Sequence, residues 1–187
     1  MNQSIFDMVL WSMVIGIIMI KFYWVVAVEL RYFKKRLSLQ MLRTNFTESI
    51  ILFLQIYVVY FFPLPETKFD AIIMFFGIVM YTTGVIFAFW GRLSMSNVWG
   101  VPGEHYKHQN KLITHGAFAY SRNPIYVGFL LIYYGFCIAI KSWLIILYLP
   151  LLLYFYKSIK KEEKLLKENF GEQYLKYKSS VPRFIFF

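Results

Sequence analysis

One cysteine, Cys137, occurs in 187 residues. That excludes an internal disulfide, and its place inside an apolar run makes it a small packing residue. Acidic residues are scarce too: ten Asp and Glu stand against twenty Lys and Arg, a net charge of +10. There are three histidines, His105, His108 and His115. Zinc needs four protein ligands, or three and a water. With no H-E-x-x-H pattern and Cys137 elsewhere, these are expected to be loop histidines, and no metal is expected. Met1–Asp7 carries no basic n-region, and no small-residue cleavage site follows, so no cleavable signal peptide is expected. No repeat or low-complexity stretch is present.

Apolar residues dominate. They make up 59% of the chain, with 20 Phe and 15 Tyr, and the mean hydropathy is +0.52. A soluble domain is roughly half apolar. A chain of this size cannot bury so much apolar surface in one core, so lipid must cover part of it. Five apolar segments carry the excess: Ile5–Val28 (interrupted by Asp7 and Lys21), Ile50–Phe62, Ala71–Trp90, Pro124–Ile140 and Trp143–Tyr156. Spanning takes about 20 helical residues, so the second, fourth and fifth are marginal. Asn45 and Glu48 resemble a capping box ahead of the second. Pro124 suits the first turn of the fourth. Lys141 and Ser142 alone separate the last two, which reads as a tight helical hairpin.

The basic residues set the orientation. Arg31, Lys34, Lys35, Arg36 and Arg43 lie in the first loop; Arg92, Lys107, Lys111 and Arg122 in the third; eight more lie between Lys157 and Arg183. That is seventeen of twenty on one side. The positive-inside rule then puts the N-terminus outside and the tail in the cytoplasm. The expectation is an all-α integral membrane protein of five transmembrane helices in the plasma or inner membrane. Its residues 1–187 form one domain: three N-terminal spans over 1–90, then a loop, hairpin and tail over 91–187. The charge faces anionic lipid, and no nucleic-acid partner is expected.

Three features stand out within this frame. Gly84 and Ala88 have the small-xxx-small spacing that lets helices approach closely. The stretch Gly91–Asn123, with Trp99, Gly100, Pro102, Gly103, Tyr106, Gly116, Phe118 and Tyr120, reads as a folded lid. In the tail, with about 100° per residue and Ile159 at zero, Leu166, Phe170, Glu162 and Glu163 fall near 340°, 20°, 300° and 40°. The lysines take the opposite side. Two carboxylates flanking an apolar stripe are either functional or solvated, with Glu163 then paired to Lys167 at i,i+4. Gly171 is placed to end this helix.

At this point the residues resemble a known family. The run Gly116–Ala117–Phe118–Ala119–Tyr120–Ser121–Arg122–Asn123–Pro124–Ile125–Tyr126–Val127–Gly128 resembles the G-x-Y-x-x-x-R-H-P-x-Y-x-G signature of the isoprenylcysteine carboxyl methyltransferases. It is also similar to that of the related membrane phospholipid N-methyltransferases. Glu162–Glu163, Leu166, Phe170–Gly171, Tyr174, Tyr177 and Val181–Pro182–Arg183 look like the second half of that signature. The resemblance implies a methyltransferase dependent on S-adenosyl-L-methionine, its cofactor pocket closed by the cytoplasmic loop and C-terminal helix. It implies that Leu112, Ile113, Phe118, Tyr120, Asn123, Pro124, Tyr126, Glu162 and Glu163 bind the cofactor. Glu162 and Arg122 serve the reaction, and Arg183 meets the substrate. The implied substrate is a lipophilic or prenylated carboxylate entering from the bilayer. The alternatives are methylation of phospholipid amines, or a non-enzymatic membrane protein or transporter on the same fold. A transporter places ionisable groups at mid-membrane, where the only candidates are Lys21 and the polar but uncharged Gln55. Asn123 stands where the family usually has His, and Ser158 where eukaryotic members have Arg. Asn offers a donor and an acceptor but cannot transfer a proton.

Overall fold

The protein is described by a computed structural model that covers residues 3–32, 39–95 and 111–185. Its described elements are all helical. In order they are α1 (Gln3–Tyr32), α2 (Leu39–Phe61), α3 (Asp70–Met95), a 3₁₀ turn (Gly116–Ala119), α4 (Pro124–Ala139), a second 3₁₀ segment (Trp143–Tyr148) and α5 (Leu149–Ser180). Among them, Gln3–Trp24, Asp70–Met95 and Trp143–Ser180 are long and apolar enough to cross a membrane. Phe46–Phe61 and Pro124–Ala139 are shorter apolar helices. At about 1.5 Å per residue, sixteen residues reach about 24 Å, short of a hydrocarbon core of about 30 Å.

The chain divides into two compact units, Met1–Val79 with Tyr134–Tyr148, and Met80–Tyr133 with Leu149–Phe187. In the first, α1 buries Leu10, Met13, Val14, Ile17 and Ile20, the i, i+3, i+4 spacing of one helix face. Its other face exposes Met8, Trp11, Ile15, Ile18, Met19 and Phe22. A helix apolar on both faces fits protein on one side and lipid on the other. The two mid-span polar residues are tied down. Lys21 pairs with Glu48 at 2.9 Å. Fully buried Gln55 donates to the Leu144 carbonyl at 3.0 Å and accepts from the Ser142 hydroxyl. Cys137 is buried.

The turn after α4 is a Schellman cap. Ser142 N–H donates to the Cys137 carbonyl at 2.9 Å and Lys141 N–H to that of Ile138 at 3.1 Å. The residue that must turn left-handed is Lys141, at φ +52°, where glycine is usual. Its ammonium is held at 2.6 Å by Asp70 and at 2.8 Å by the Pro65 carbonyl. These contacts offset the backbone strain of roughly 1 kcal/mol.

In the second unit, α3 and α4 run antiparallel with almost no side chain between them. A methyl at Gly84 would sit 2.7 Å from the Gly128 carbonyl, and one at Gly128 2.6 Å from the Ala88 nitrogen. The small-residue spacing is therefore architecture, as expected from the sequence.

Several boundaries differ from the sequence reading. Helix α2 starts at Leu39, so Asn45 and Glu48 are interior residues and no capping box forms there. No Pro or Gly interrupts Leu39–Phe61, so the helix continues past the end of its apolar part. Helix α3 runs on to Met95, taking Arg92 out of the loop. The fifth segment opens as a 3₁₀ turn and becomes α-helical only at Leu149. Pro150 lacks an N–H and fits only the first turn of an α-helix.

Candidate functional site

The candidate site lies wholly in the second unit, where the N-terminus of α4, the polar half of α5 and Val181–Arg183 meet. It begins with how α4 starts. Pro124 is its first residue, and the Asn123 carbonyl accepts the Val127 N–H at 3.1 Å. The Asn123 side chain does not cap the helix. Its Nδ2 donates to the Arg183 carbonyl at 3.1 Å, and the Ser121 hydroxyl donates to the same oxygen at 3.0 Å. Arg122 N–H adds a bond to the Pro182 carbonyl at 2.9 Å. The C-terminal segment is thus strapped across the entry to α4. An amide donor suffices for this contact at position 123.

The tail helix supplies two carboxylates. Glu162 and Glu163 are both buried, at 5% and 8% exposure, as the helical wheel placed them. Their partners differ. Glu162 accepts the Tyr126 hydroxyl at 2.6 Å, beside the edge-to-face pair of Tyr126 and Phe155, 5.1 Å between centroids. Glu163 binds two guanidiniums. Arg122 Nη2 donates to its Oε1 at 3.0 Å, while Arg183 donates from Nε at 3.0 Å and from Nη2 at 2.7 Å. The alternative of a solvated Glu163 paired with Lys167 gives way to these, because Glu163 points inward; an i,i+4 contact forms instead at Lys164–Glu168, 3.9 Å. The apolar part of α5 ends near Tyr156, so Glu163 lies two turns into the polar half. Burial would raise its pKa, but the two arginines overcome that and hold it below the ordinary carboxylate value. Hydrogen bonded to Glu163, Arg183 is held above its ordinary value.

Arg122 is consumed almost completely. Its Nη1 donates to the Lys178 and Val181 carbonyls at 2.8 and 3.0 Å. Its Nε, and the hydroxyl of buried Tyr174, have no hydrogen-bond partner. Beside Arg122 lies a cavity of about 20 Å³, lined also by Met95, Leu112, Ile113, Phe118, Leu166 and Tyr177. The Tyr177 hydroxyl donates to the Phe118 carbonyl at 2.7 Å, tying the 3₁₀ turn to the tail.

Two glycines make these approaches possible. Gly116, at φ +62°, lies so close to Ser94 that a methyl group there would clash with its hydroxyl. That hydroxyl accepts the Ala117 N–H at 3.2 Å. Gly171 breaks α5 at φ +47°, as its sequence position suggested, and the helix then resumes, burying Tyr174 and Tyr177.

The structure therefore gathers Leu112, Ile113, Phe118, Arg122, Asn123, Pro124, Tyr126, Glu162, Glu163 and Arg183 into one region. Tyr120 is set apart, 60% exposed and packed on Trp90 at 5.4 Å. His115 precedes the 3₁₀ turn as an exposed residue. His105, His108 and the Trp99–Tyr106 part of the expected lid lie outside the described residues. The sequence reading missed Phe155, Met95 and Ser121. Phe155 was findable, since 155, 159, 162 and 166 continue one stripe along α5.

The acidic and aromatic side chains around Tyr126 could hold a cationic group. The Glu162 carboxylate accepts from a phenol, and the ring faces of Tyr126 and Phe155 beside it are of the kind that favour a cation. Comparison with known proteins places the chain in a family. Residues 72–173 match the family model described as phospholipid methyltransferase, 102 of the 187 residues. The chain is 38% identical over 79 residues to the probable protein-S-isoprenylcysteine O-methyltransferases of Oryza sativa subsp. indica and subsp. japonica. That stretch covers 41% of this chain and 41% of each relative, so the chain spans about two fifths of their length. No solved structure matches the chain.

Proposed function

Because this chain belongs to the phospholipid methyltransferase family, we propose that it is a membrane methyltransferase. It uses S-adenosyl-L-methionine to methylate a lipophilic acceptor, a carboxylate of the isoprenylcysteine type. The observation that carries this reading is the pair of adjacent buried carboxylates with different partners, Glu162 on a phenol and Glu163 on two arginines.

When bound, the sulfonium supplies an electrophilic methyl group. The chain's own residues position and enclose. Glu162, with Tyr126 and Phe155, offers negative charge and ring faces to a cation. Glu163, Arg122 and Arg183 hold the C-terminal strap against α4, with Asn123 and Pro124 fixing the turn. Leu112, Ile113 and Phe118 line the apolar wall. Tyr120 stays on the outer side with Trp90. A carboxylate acceptor needs no general base, so Asn123 in the family's His position is no obstacle: its amide supports the Arg183 carbonyl. The acceptor enters sideways from the bilayer. The chain forms one domain, its five apolar segments crossing with the N-terminus outside and the site on the cytoplasmic side.

The relatives' names support the prenylcysteine carboxylate as acceptor, and the family model's description favours a phospholipid amine as the second reading. A transporter is disfavoured because Lys21 and Gln55 have structural partners. The test is transfer of tritiated methyl in membranes containing the chain, supplied with a prenylated cysteine. Label released as methanol by base marks the ester. Base-stable label in phospholipid marks the amine. No incorporation above membranes lacking the chain contradicts both.

A further inference from the structure

The exposed side of α5 changes character at Tyr156. Leu149, Leu153, Tyr156, Lys160, Lys164 and Lys167 follow one another at steps of three or four, so they share one helix face. All of them are exposed. The two leucines leave apolar surface open, at 47% and 61% exposure, which suits lipid chains. A tyrosine that ends such a stripe belongs at the membrane–water boundary, with its ring in the apolar side and its hydroxyl in the polar one. The lysines begin one turn further on.

Two cations converge at that boundary. Lys160 Nζ lies 4.6 Å from the centroid of the Tyr156 ring and the Arg183 guanidinium carbon 5.7 Å, and both charges reach its hydroxyl. Lys160 pairs with no carboxylate among the described residues. Arg183 has Glu163 but shares it with Arg122. The positive charge gathered round one phenol therefore exceeds the negative charge beside it, and an anion would relieve the excess.

Depth indicates which anion. The headgroup layers add roughly 5–7 Å to each side of a hydrocarbon core of about 30 Å. Lys160 lies four residues, about 6 Å, beyond Tyr156 along the helix, at the level of the lipid phosphates. Lys167 lies about 10 Å further out, past that layer. A zwitterionic headgroup sets an ammonium beside its phosphate and loses most of the attraction; an anionic headgroup keeps it.

We propose that Lys160, Arg183 and Tyr156 hold the headgroup phosphate of an anionic phospholipid in the leaflet at this end of α5. The site stands on the outer face of the helix, whereas Glu162 and Glu163 face inward, and its lipid needs no group that could accept a methyl. The inference does not depend on the methyl-donor reading. Because Arg183 also ties the C-terminal strap to Glu163, the bound lipid adds a partner to the strap.

The test is native mass spectrometry of the full chain, released from detergent with equal amounts of phosphatidylglycerol and phosphatidylcholine. Wild type should retain phosphatidylglycerol in preference. Lys160→Gln should lower that retention about fivefold, the value of one cation at an anionic lipid surface, while Lys160→Arg should keep it and Lys167→Gln should stay within about twofold of wild type. All three substitutions are at exposed positions, and a melting curve checks each fold. Equal losses from Lys160→Gln and Lys167→Gln would mean diffuse attraction and overturn the site, as would equal retention of the two lipids by wild type. Glycerol 3-phosphate, which carries the phosphate without the chains, should not displace phosphatidylglycerol when added at the same concentration. Displacement by it would overturn the assignment to a lipid. No arm uses a methyl donor, so failure of the lipid site leaves the methyltransferase reading standing.

Discussion

Neighbouring glutamates with the same side chain are given different tasks by their partners. Glu163 is the anion of a buried cluster, and removing one member of such a cluster leaves uncompensated charge. Glu163→Gln is expected to destabilise the chain by on the order of 3 kcal/mol, seen as a lower melting temperature in detergent. The pH dependence has a definite sign. Glu163 has its folded pKa depressed, so it contributes stability above its unfolded value, lost as pH falls through the folded one. Melts from neutral to acid pH should show the wild-type advantage over Glu163→Gln shrinking below the ordinary glutamate range; a constant gap contradicts the assignment. Helical periodicity made the inward position of both glutamates legible. The choice between them was not, because it depends on Arg122, forty-one residues earlier.

Elements are held by devices that sequence patterns reveal unevenly. The small residues of α3 announce a close helix contact, but Gly128 on the facing helix gains its meaning only from the approach of Ala88. The Schellman turn was hidden because its left-handed residue is a lysine. That substitution gives a test. Lys141→Ala keeps the strained backbone and leaves Asp70 without its ammonium, whereas Lys141→Gly relieves the strain. The glycine variant should be the more stable of the two by about 1 kcal/mol, the reverse of their order within a helix. Alanine proving the more stable would contradict the cap. The N-terminus of α2 was misplaced for a similar reason: helices do not stop where hydropathy stops, and Glu48 continues the helix while pairing with Lys21.

At the scale of the whole molecule, composition alone made the membrane class legible, and the described helices bear out three spans by length and apolarity. The short segments were read from apolar runs, and the orientation from the seventeen basic residues that fall on one side. Impermeant maleimide labelling tests them. In a Cys137→Ser background, Leu64→Cys should label in intact cells and Lys176→Cys only after permeabilisation; the reverse pattern contradicts a cytoplasmic site. The central claim, that the cluster between α4 and α5 holds a methyl donor, is tested most directly by calorimetric titration of the purified chain with S-adenosylhomocysteine. Saturable binding at one site per chain is expected, weakened by Glu162→Ala and unchanged by Glu172→Ala. Absence of binding to the folded wild-type chain, or equal effects of the two variants, would contradict it.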